Sequence, residues 1–293
     1  MTDHDMIGIA SDRLSAAINP MGAELTHLRD AAGRDLMTDA DPAFWPKHAP
    51  ILFPVIGCVG DGTIRLAGKS YAMPKHGFAR DHRFEVIETT AASARFQLTD
   101  NAATRAHYPY AFALEIGFTI TAATLAIDAR ITNRSGIVMP AQFGFHPAFA
   151  WPLPYGAARG DHMITFSTDE PGALKRVDAE GLIADRARRS PLEGRVLALD
   201  DALFTDDALI WDPVHSSSVR YGAGAGPALD VAFPDTPALG IWTKPGAAFV
   251  CIEPWHGIAD PHDFTGDFRS KPGVFTIPPG QDKRIGMAVT LVA

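Results

Sequence analysis

Cysteine is nearly missing from this chain of 293 residues: only Cys58 and Cys251 occur. Two thiols so far apart make neither a disulfide framework nor a zinc-ligand spacing, and they fit a reducing compartment. Long apolar runs are missing too. No stretch approaches the roughly 18 residues that read as a bilayer-spanning helix. Basic charge is scarce, with 26 Lys and Arg against 34 Asp and Glu and a formal net charge of −8. That balance argues against a nucleic-acid or anionic-membrane surface, since both need clustered cations. The first five residues, Met1 to Asp5, are acidic and lack the apolar run of a signal peptide, so the expected address is the cytoplasm. Asn133-Arg134-Ser135 matches a glycosylation acceptor, but with no secretion signal it reads as chance. Convincing long amphipathic helices do not occur.

What is present has a period of two. Leu114, Ile116, Phe118 and Ile120 alternate with Glu115, Gly117, Thr119 and Thr121. After a break at Ala122-Ala123, Leu125, Ile127, Ala129 and Ile131 alternate with Ala126, Asp128, Arg130 and Thr132. Each run puts its apolar side chains on one face, and the short break predicts a hairpin. Ile285, Met287, Val289 and Leu291 repeat the pattern near the C-terminus, with weaker alternation at Ala94, Phe96, Leu98 and at Phe249, Cys251. The 26 glycines and 23 prolines punctuate these runs, as many short antiparallel strands require. The expected fold is an all-β sandwich, with residues 1–293 as one domain. Two segments lack strand pattern, roughly 152–162 and 169–195; each reads as a surface loop or a lid. Gly222 to Gly226 lacks the Lys-Ser/Thr of a phosphate loop and reads as a turn between strands.

Three segments mix Gly or Pro with His, Arg, Glu and Trp, which core packing does not demand: Lys75 to Asp81, Phe143 to Phe149, and Cys251 to Asp260. Such mixtures belong at strand ends and loops, where sites on β scaffolds are built. His146, among Phe143, Phe145 and Phe149, reads either as a proton donor in a desolvated pocket or as a turn-capping histidine. Glu253 follows the apolar Ala248 to Ile252 and is expected to emerge at a strand end, because Pro254 cannot continue a ladder. There it serves as a base or is simply a surface carboxylate. Trp242 and Trp255 offer flat apolar faces suited to a pyranose ring, or fill core volume. Glu253, His256, Asp260, His262 and Asp263 are all able to ligate, but their spacing matches no common zinc pattern, so no metal is expected.

Taken in series, these segments resemble the aldose 1-epimerase family, in its LacX-like branch. The resemblance rests on His-Gly-Phe-Ala-Arg-Asp at 76–81, Gly-Phe-His-Pro-Ala-Phe at 144–149 and Glu-Pro-Trp-x-Gly-x-Ala-Asp at 253–260. It extends to Asn19-Pro20-x-Gly22-Ala23-Glu24-Leu25, Leu52-Phe53-Pro54, Tyr108-Pro109-Tyr110 with Phe112, Asp207-Ala208-Leu209 and Gly240-Ile241-Trp242, covering nearly the whole chain in order. The resemblance implies a galactose mutarotase-like antiparallel β-supersandwich with its site in a broad cleft. It implies a small-molecule sugar substrate, no cofactor, and these roles: Glu253 as the base at the anomeric C1 hydroxyl, His146 as the acid at the ring oxygen, His76 as a second histidine that contacts the sugar or helps protonate it, and Asp207 holding hydroxyls. Arg80 is then either a ligand contact or an ion-pair partner of Asp81 or another carboxylate. One departure stands out: the family's usual Arg or Lys after Leu-Phe-Pro-x-x-Gly is Cys58 here, and a neutral thiol cannot replace a guanidinium fork. Lys75 and Arg80 are the candidates to compensate.

The implied activity is anomer interconversion by ring opening and closure, with a carboxylate and an imidazole near their free values of about 4.3 and 6.5 as the proton carriers. Two other readings stay open: a non-catalytic sugar-binding protein on the same fold, and a hexose-phosphate epimerase. A glycosidase is weaker, because no second acid sits beside a site motif. The sugar and the oligomeric state are not legible in the sequence.

Overall fold

The computed structural model describes residues 6–293; the acidic Met1 to Asp5 segment lies outside the described residues. The alternating runs become strands as their period requires. Phe112–Thr121 and Thr124–Asn133 form an antiparallel hairpin in which Ile120 faces Leu125 and Phe118 faces Ile127. Ala122 makes the tight turn with φ 49°. The C-terminal Asp282–Val292 pairs with the hairpin's second strand, Met287 opposite Ile127. These strands are the centre of a nine-stranded sheet, which runs from Val196–Ala198 through His162–Phe166, Ser218–Ala223 and Ala228–Ala232, and past the hairpin to Ser93–Thr99 and Glu85–Thr89. Gly222 to Gly226 turns between two of its strands, as expected.

A second, six-stranded sheet carries the motifs. Its order is Leu209–Trp211, Ala238–Trp242, Phe249–His256, Phe143–Phe145 and Ile51–Leu52, with Ala148–Ala150 also paired to Phe249–His256. Its inner face and that of the nine-stranded sheet share one continuous apolar core, in which Phe118, Ile127 and Met287 meet Ile51 and Phe145. Phe249–His256 is buried on both faces, so it reads as an apolar run and shows little alternation. Among the described residues no helix is long and apolar enough to cross a membrane.

The expectation that Pro254 ends its strand is overturned. The strand continues to His256, with Pro254 opposite Leu239 and Glu253 opposite Gly240. Proline is tolerated because the neighbour on the other side is interrupted. Gly144 pairs with Trp255 and Ala148 with Cys251, while Phe145 and His146 between them leave this ladder and the Pro147 carbonyl still accepts from the Ile252 N–H at 3.1 Å. Pro254 faces that gap and needs no N–H. Glu253 therefore sits in mid-strand, held on both sides, and His146 occupies the break opposite it.

Candidate active site

Glu253, His146, His76, Arg80, Asp207, Trp242 and Trp255 line one cavity of about 310 Å³, a size common for small-molecule sites. All seven residues singled out in the sequence come together there. Glu253 and Trp255 project from the same face of Phe249–His256, two residues apart. Trp242 comes from the adjacent strand, and Asp207 from the turn before Leu209–Trp211. The break at 145–146 delivers His146.

His146 Nε2 lies 3.0 Å from Glu253 Oε2, and both side chains are buried. The ring N–H is not aimed at the carboxylate: Glu253 Oε2 and His146 Nδ1 have no hydrogen-bond partner in the protein. The pair is thus a close polar contact that leaves both of these buried atoms without a hydrogen bond. Trp45 stacks on the imidazole at 4.9 Å between centroids, and Trp242 and His76 meet it edge-on at 6.0 and 5.7 Å. Three rings fix the orientation of one.

His76 is held by its own backbone neighbourhood. Its N–H donates to the Gly57 carbonyl at 2.9 Å, and the Gly57 N–H donates to His76 Nδ1 at 3.1 Å. A ring nitrogen that accepts from an amide carries no proton, so the proton of the neutral ring is on Nε2. Burial pushes the imidazole well below its ordinary value, and the positive charges of His146, Arg80 and Lys75 push it further. His76 is a neutral Nε2–H donor. Its backbone is left-handed, φ 66°, as is that of Asp207 at φ 69°; both non-glycine residues line the cavity in a conformation that costs strain. Gly57 is obligatory beside it: at φ +68° a Cβ there would stand 2.5 Å from Ala259 Cβ.

Arg80 combines the two roles left open for it. It lines the cavity, while its Nη2 donates to the Lys75 carbonyl at 2.7 Å and its Nε lies 3.8 Å from Asp81. Burial lowers the guanidinium from its ordinary value, against the attraction of Asp81 and Glu24. Asp207 spends one oxygen on the Ala208 N–H at 2.7 Å. Trp255 is wedged between Gly144 and Gly240, where an added Cβ would meet its ring at 2.6 Å in both cases; it is chiefly cavity floor, 5% exposed.

The chelating-looking run near the C-terminus disperses. Asp260 pairs with buried Lys271 at 2.8 Å, His256 packs edge-on against Phe275, and His262 pairs with Asp178 at 2.6 Å. Cys58 does not line the sugar-sized cavity; its Sγ lies under Gly181, 2.8 Å from where a Cβ would be. Cys251 is fully buried, and burial together with the Glu253 charge drives its thiol well above the ordinary value.

Sequence reasoning missed Trp45, Val177 and Gly181. Trp45 follows Asp41-Pro42-Ala43-Phe44 in a turn with no strand pattern. Val177 and Gly181 belong to the patternless 169–195 segment, which folds back through a Val177–Ile183 bridge into a flap that forms one wall of the cavity. The other patternless segment, 152–162, holds a short turn at Arg159–Asp161 and stays away from the site, with Arg159 over the Trp151 ring.

Known proteins share this sequence pattern and fold. A family model described as aldose 1-epimerase matches residues 5–275. The curated proteins "Protein LacX, chromosomal" and "Protein LacX, plasmid" of Lactococcus lactis subsp. lactis are each 30% identical over 296 residues, spanning 98% of this chain and 99% of the relative. A galactose mutarotase related enzyme from Lactobacillus acidophilus superposes with a TM-score of 0.92 at 30% identity, covering 98% of this chain and 97% of that one. A galactose mutarotase-like protein from Lactobacillus casei gives a TM-score of 0.92 at 28% identity, over 98% and 100%.

Proposed function

The chain belongs to the aldose 1-epimerase family, and we propose that it interconverts the α and β anomers of a free aldose, with Glu253 as base and His146 as acid. The observation that carries this reading is the 3.0 Å approach of those two groups, from separate parts of the sheet, inside one cavity. Opening a hemiacetal moves two protons. Glu253 takes the proton of O1, the C1=O bond forms, the C1–O5 electron pair passes to the ring oxygen, and His146 protonates it. A turn about C1–C2 exposes the other face of the aldehyde. Closure reverses the proton movements and gives the other anomer. Sugar entering between the two groups replaces their mutual contact with contacts to O1 and O5, so the close pair is the resting form of the acid and base.

The remaining cavity groups have parts to play in this scheme. The fixed Nε2–H of His76 donates a hydrogen bond to the substrate and transfers no proton, because its Nδ1 is committed to Gly57. Asp207 keeps one carboxylate oxygen for sugar hydroxyls. Trp45 and Trp242 supply the apolar faces that a pyranose C–H surface prefers.

Polarimetry on freshly dissolved single-anomer aldoses, with spontaneous exchange subtracted, tests the reading. Saturable acceleration for at least one free sugar is expected. Saturable binding across the panel with no acceleration would leave a sugar-binding protein instead. A second reading has its own observation: Lys75 and Arg80 line the same cavity, so two cations are present despite Cys58. If hexose 6-phosphates compete at far lower concentration than the free sugars, the substrate is a phosphorylated hexose.

A further inference from the structure

Cys251 is unused by the chemistry above, yet it stands two residues from Glu253 on the same face of its strand. One donor atom from each of His146, Cys251 and Glu253 lies within 4.8 Å of the others, and all three residues are buried. We propose that these three side chains form a binding site for a thiophilic divalent cation of the Zn²⁺ class, and that the ion excludes the sugar.

The donor set selects the ion. An imidazole nitrogen, a thiolate sulfur and one carboxylate oxygen suit zinc and cobalt, whereas magnesium and calcium take oxygen ligands. With metal–ligand distances of about 2.0–2.3 Å, tetrahedral geometry places donors about 3.3–3.7 Å apart. Side-chain rotations of about an ångström close the present spread to that figure. A fourth position then faces the cavity that Glu253 and His146 line, which is also the route of entry.

A second observation points the same way. Glu253 is 1% exposed, and its Oε2 has no hydrogen-bond partner. Among the described residues His146 is its ion-pair partner within 4.0 Å, and no lysine or arginine neutralises it there. A buried carboxylate so placed gains from a cation. On binding, the sulfur–metal bond replaces the S–H bond, the proton leaves to solvent, and the two anionic ligands balance the ion's charge.

The consequence for turnover rests on the proposed acid/base roles: an ion on Glu253 and His146 occupies the lone pairs that would accept and deliver protons. Direct binding does not depend on those roles, which keeps the two ideas separable. The full-length protein, freed of metal, is titrated with Co²⁺ and followed by absorption. One equivalent giving a thiolate-to-cobalt charge-transfer band is expected, with stoichiometric displacement by Zn²⁺. Cys58→Ser keeps the band, and Cys251→Ser loses it while weakening Zn²⁺ binding at least tenfold in calorimetry. The cluster of half-buried Asp178 with exposed Glu180 and His262 carries no thiol and contributes nothing to that band. Circular dichroism checks that Cys251→Ser, a near-isosteric change, is folded. Absence of the band from the wild type, or its survival in Cys251→Ser, overturns the proposal. In polarimetry Zn²⁺ suppresses wild-type anomer exchange and a chelator restores it; undiminished exchange with the site loaded overturns the exclusion of sugar.

Discussion

At the scale of single residues, the division of labour proposed for the two cavity histidines turns on one backbone N–H. Gly57 donates to His76 Nδ1, and burial, followed by His146, Arg80 and Lys75, holds the ring neutral well below the usual imidazole range. Imidazole nitrogen NMR is expected to show His76 still as the neutral Nε2–H tautomer at about pH 6.5, where a free imidazole is half protonated. An imidazolium pattern for His76 at pH 6 would contradict its role as a pure donor. Most residues that made this site legible in the sequence share a trait. Glu253, His146, His76, Arg80, Trp242 and Trp255 lie in short motifs where polar side chains accompany Gly or Pro, as in Glu253-Pro254-Trp255, whereas Asp207 stood out only through the family resemblance. Trp45 escaped because stacking on an imidazole from a distant turn leaves no local pattern.

Among the elements, the flap within residues 175–184 lines the cavity through Val177 and Gly181. Its tip is closed by the Asp178 carboxylate, which accepts from the Glu180 and Leu182 N–H groups at 3.0 Å each. It is tied to the following loop by His262–Asp178 at 2.6 Å and by the His262 N–H to the Ile183 carbonyl. The Asp178 hydrogen bond and charge, with Asp185 and Glu180 nearby, raise the His262 imidazole above its ordinary value. The tie is therefore fully present below about pH 6.5 and is lost as pH climbs past the raised value. His262→Ala should speed amide hydrogen exchange across the flap at pH 6 and raise KM a few-fold, with kcat little changed. The difference in exchange between variant and wild type should shrink as pH rises past the raised His262 value, where the charge is lost. Equal exchange in the two at pH 6 would show that the backbone contacts alone hold the flap. Absent periodicity marked the segment as a loop or lid, but not which wall it builds. That depends on long-range bridges, Val177 to Ile183 and Ile183 to Pro261. The continuation of the strand through Pro254 was hidden for the same reason, since the break opposite it belongs to another part of the chain.

Over the whole molecule, two sheets sharing one apolar core hold the cavity, and a buried polar network braces it from behind. Lys271 Nζ donates to Gln142 Oε1 at 3.1 Å and pairs with Asp260 at 2.8 Å. Gln142 in turn accepts from the Ile56 N–H and donates to the Ile258 carbonyl, while Asp260 accepts from the Gly60 N–H. The loops carrying Gly57 and Ala259 are thereby joined. Burial lowers the Lys271 ammonium from its ordinary value, against the pull of Asp260. Lys271→Ala leaves a buried carboxylate unpaired and should cost about 3–5 kcal/mol in denaturant unfolding; a loss under about 1 kcal/mol would show the network carries little. Period-two runs such as Leu114 to Ile131 announced the β architecture because each has one face in the core and one toward polar surroundings. Lys271 announced nothing: a lone lysine reads as surface, and only the assembled loops enclose it.

If the Glu253 carboxylate opens the ring as proposed, Glu253→Gln should disable it, since glutamine keeps the shape of the side chain but accepts no proton. Polarimetry at pH 7 on the best sugar of the panel is expected to show kcat reduced by about 10²–10⁴-fold, with calorimetry showing the sugar still bound and circular dichroism the fold unchanged. A Glu253→Gln protein that exchanges anomers at the wild-type rate would contradict the account.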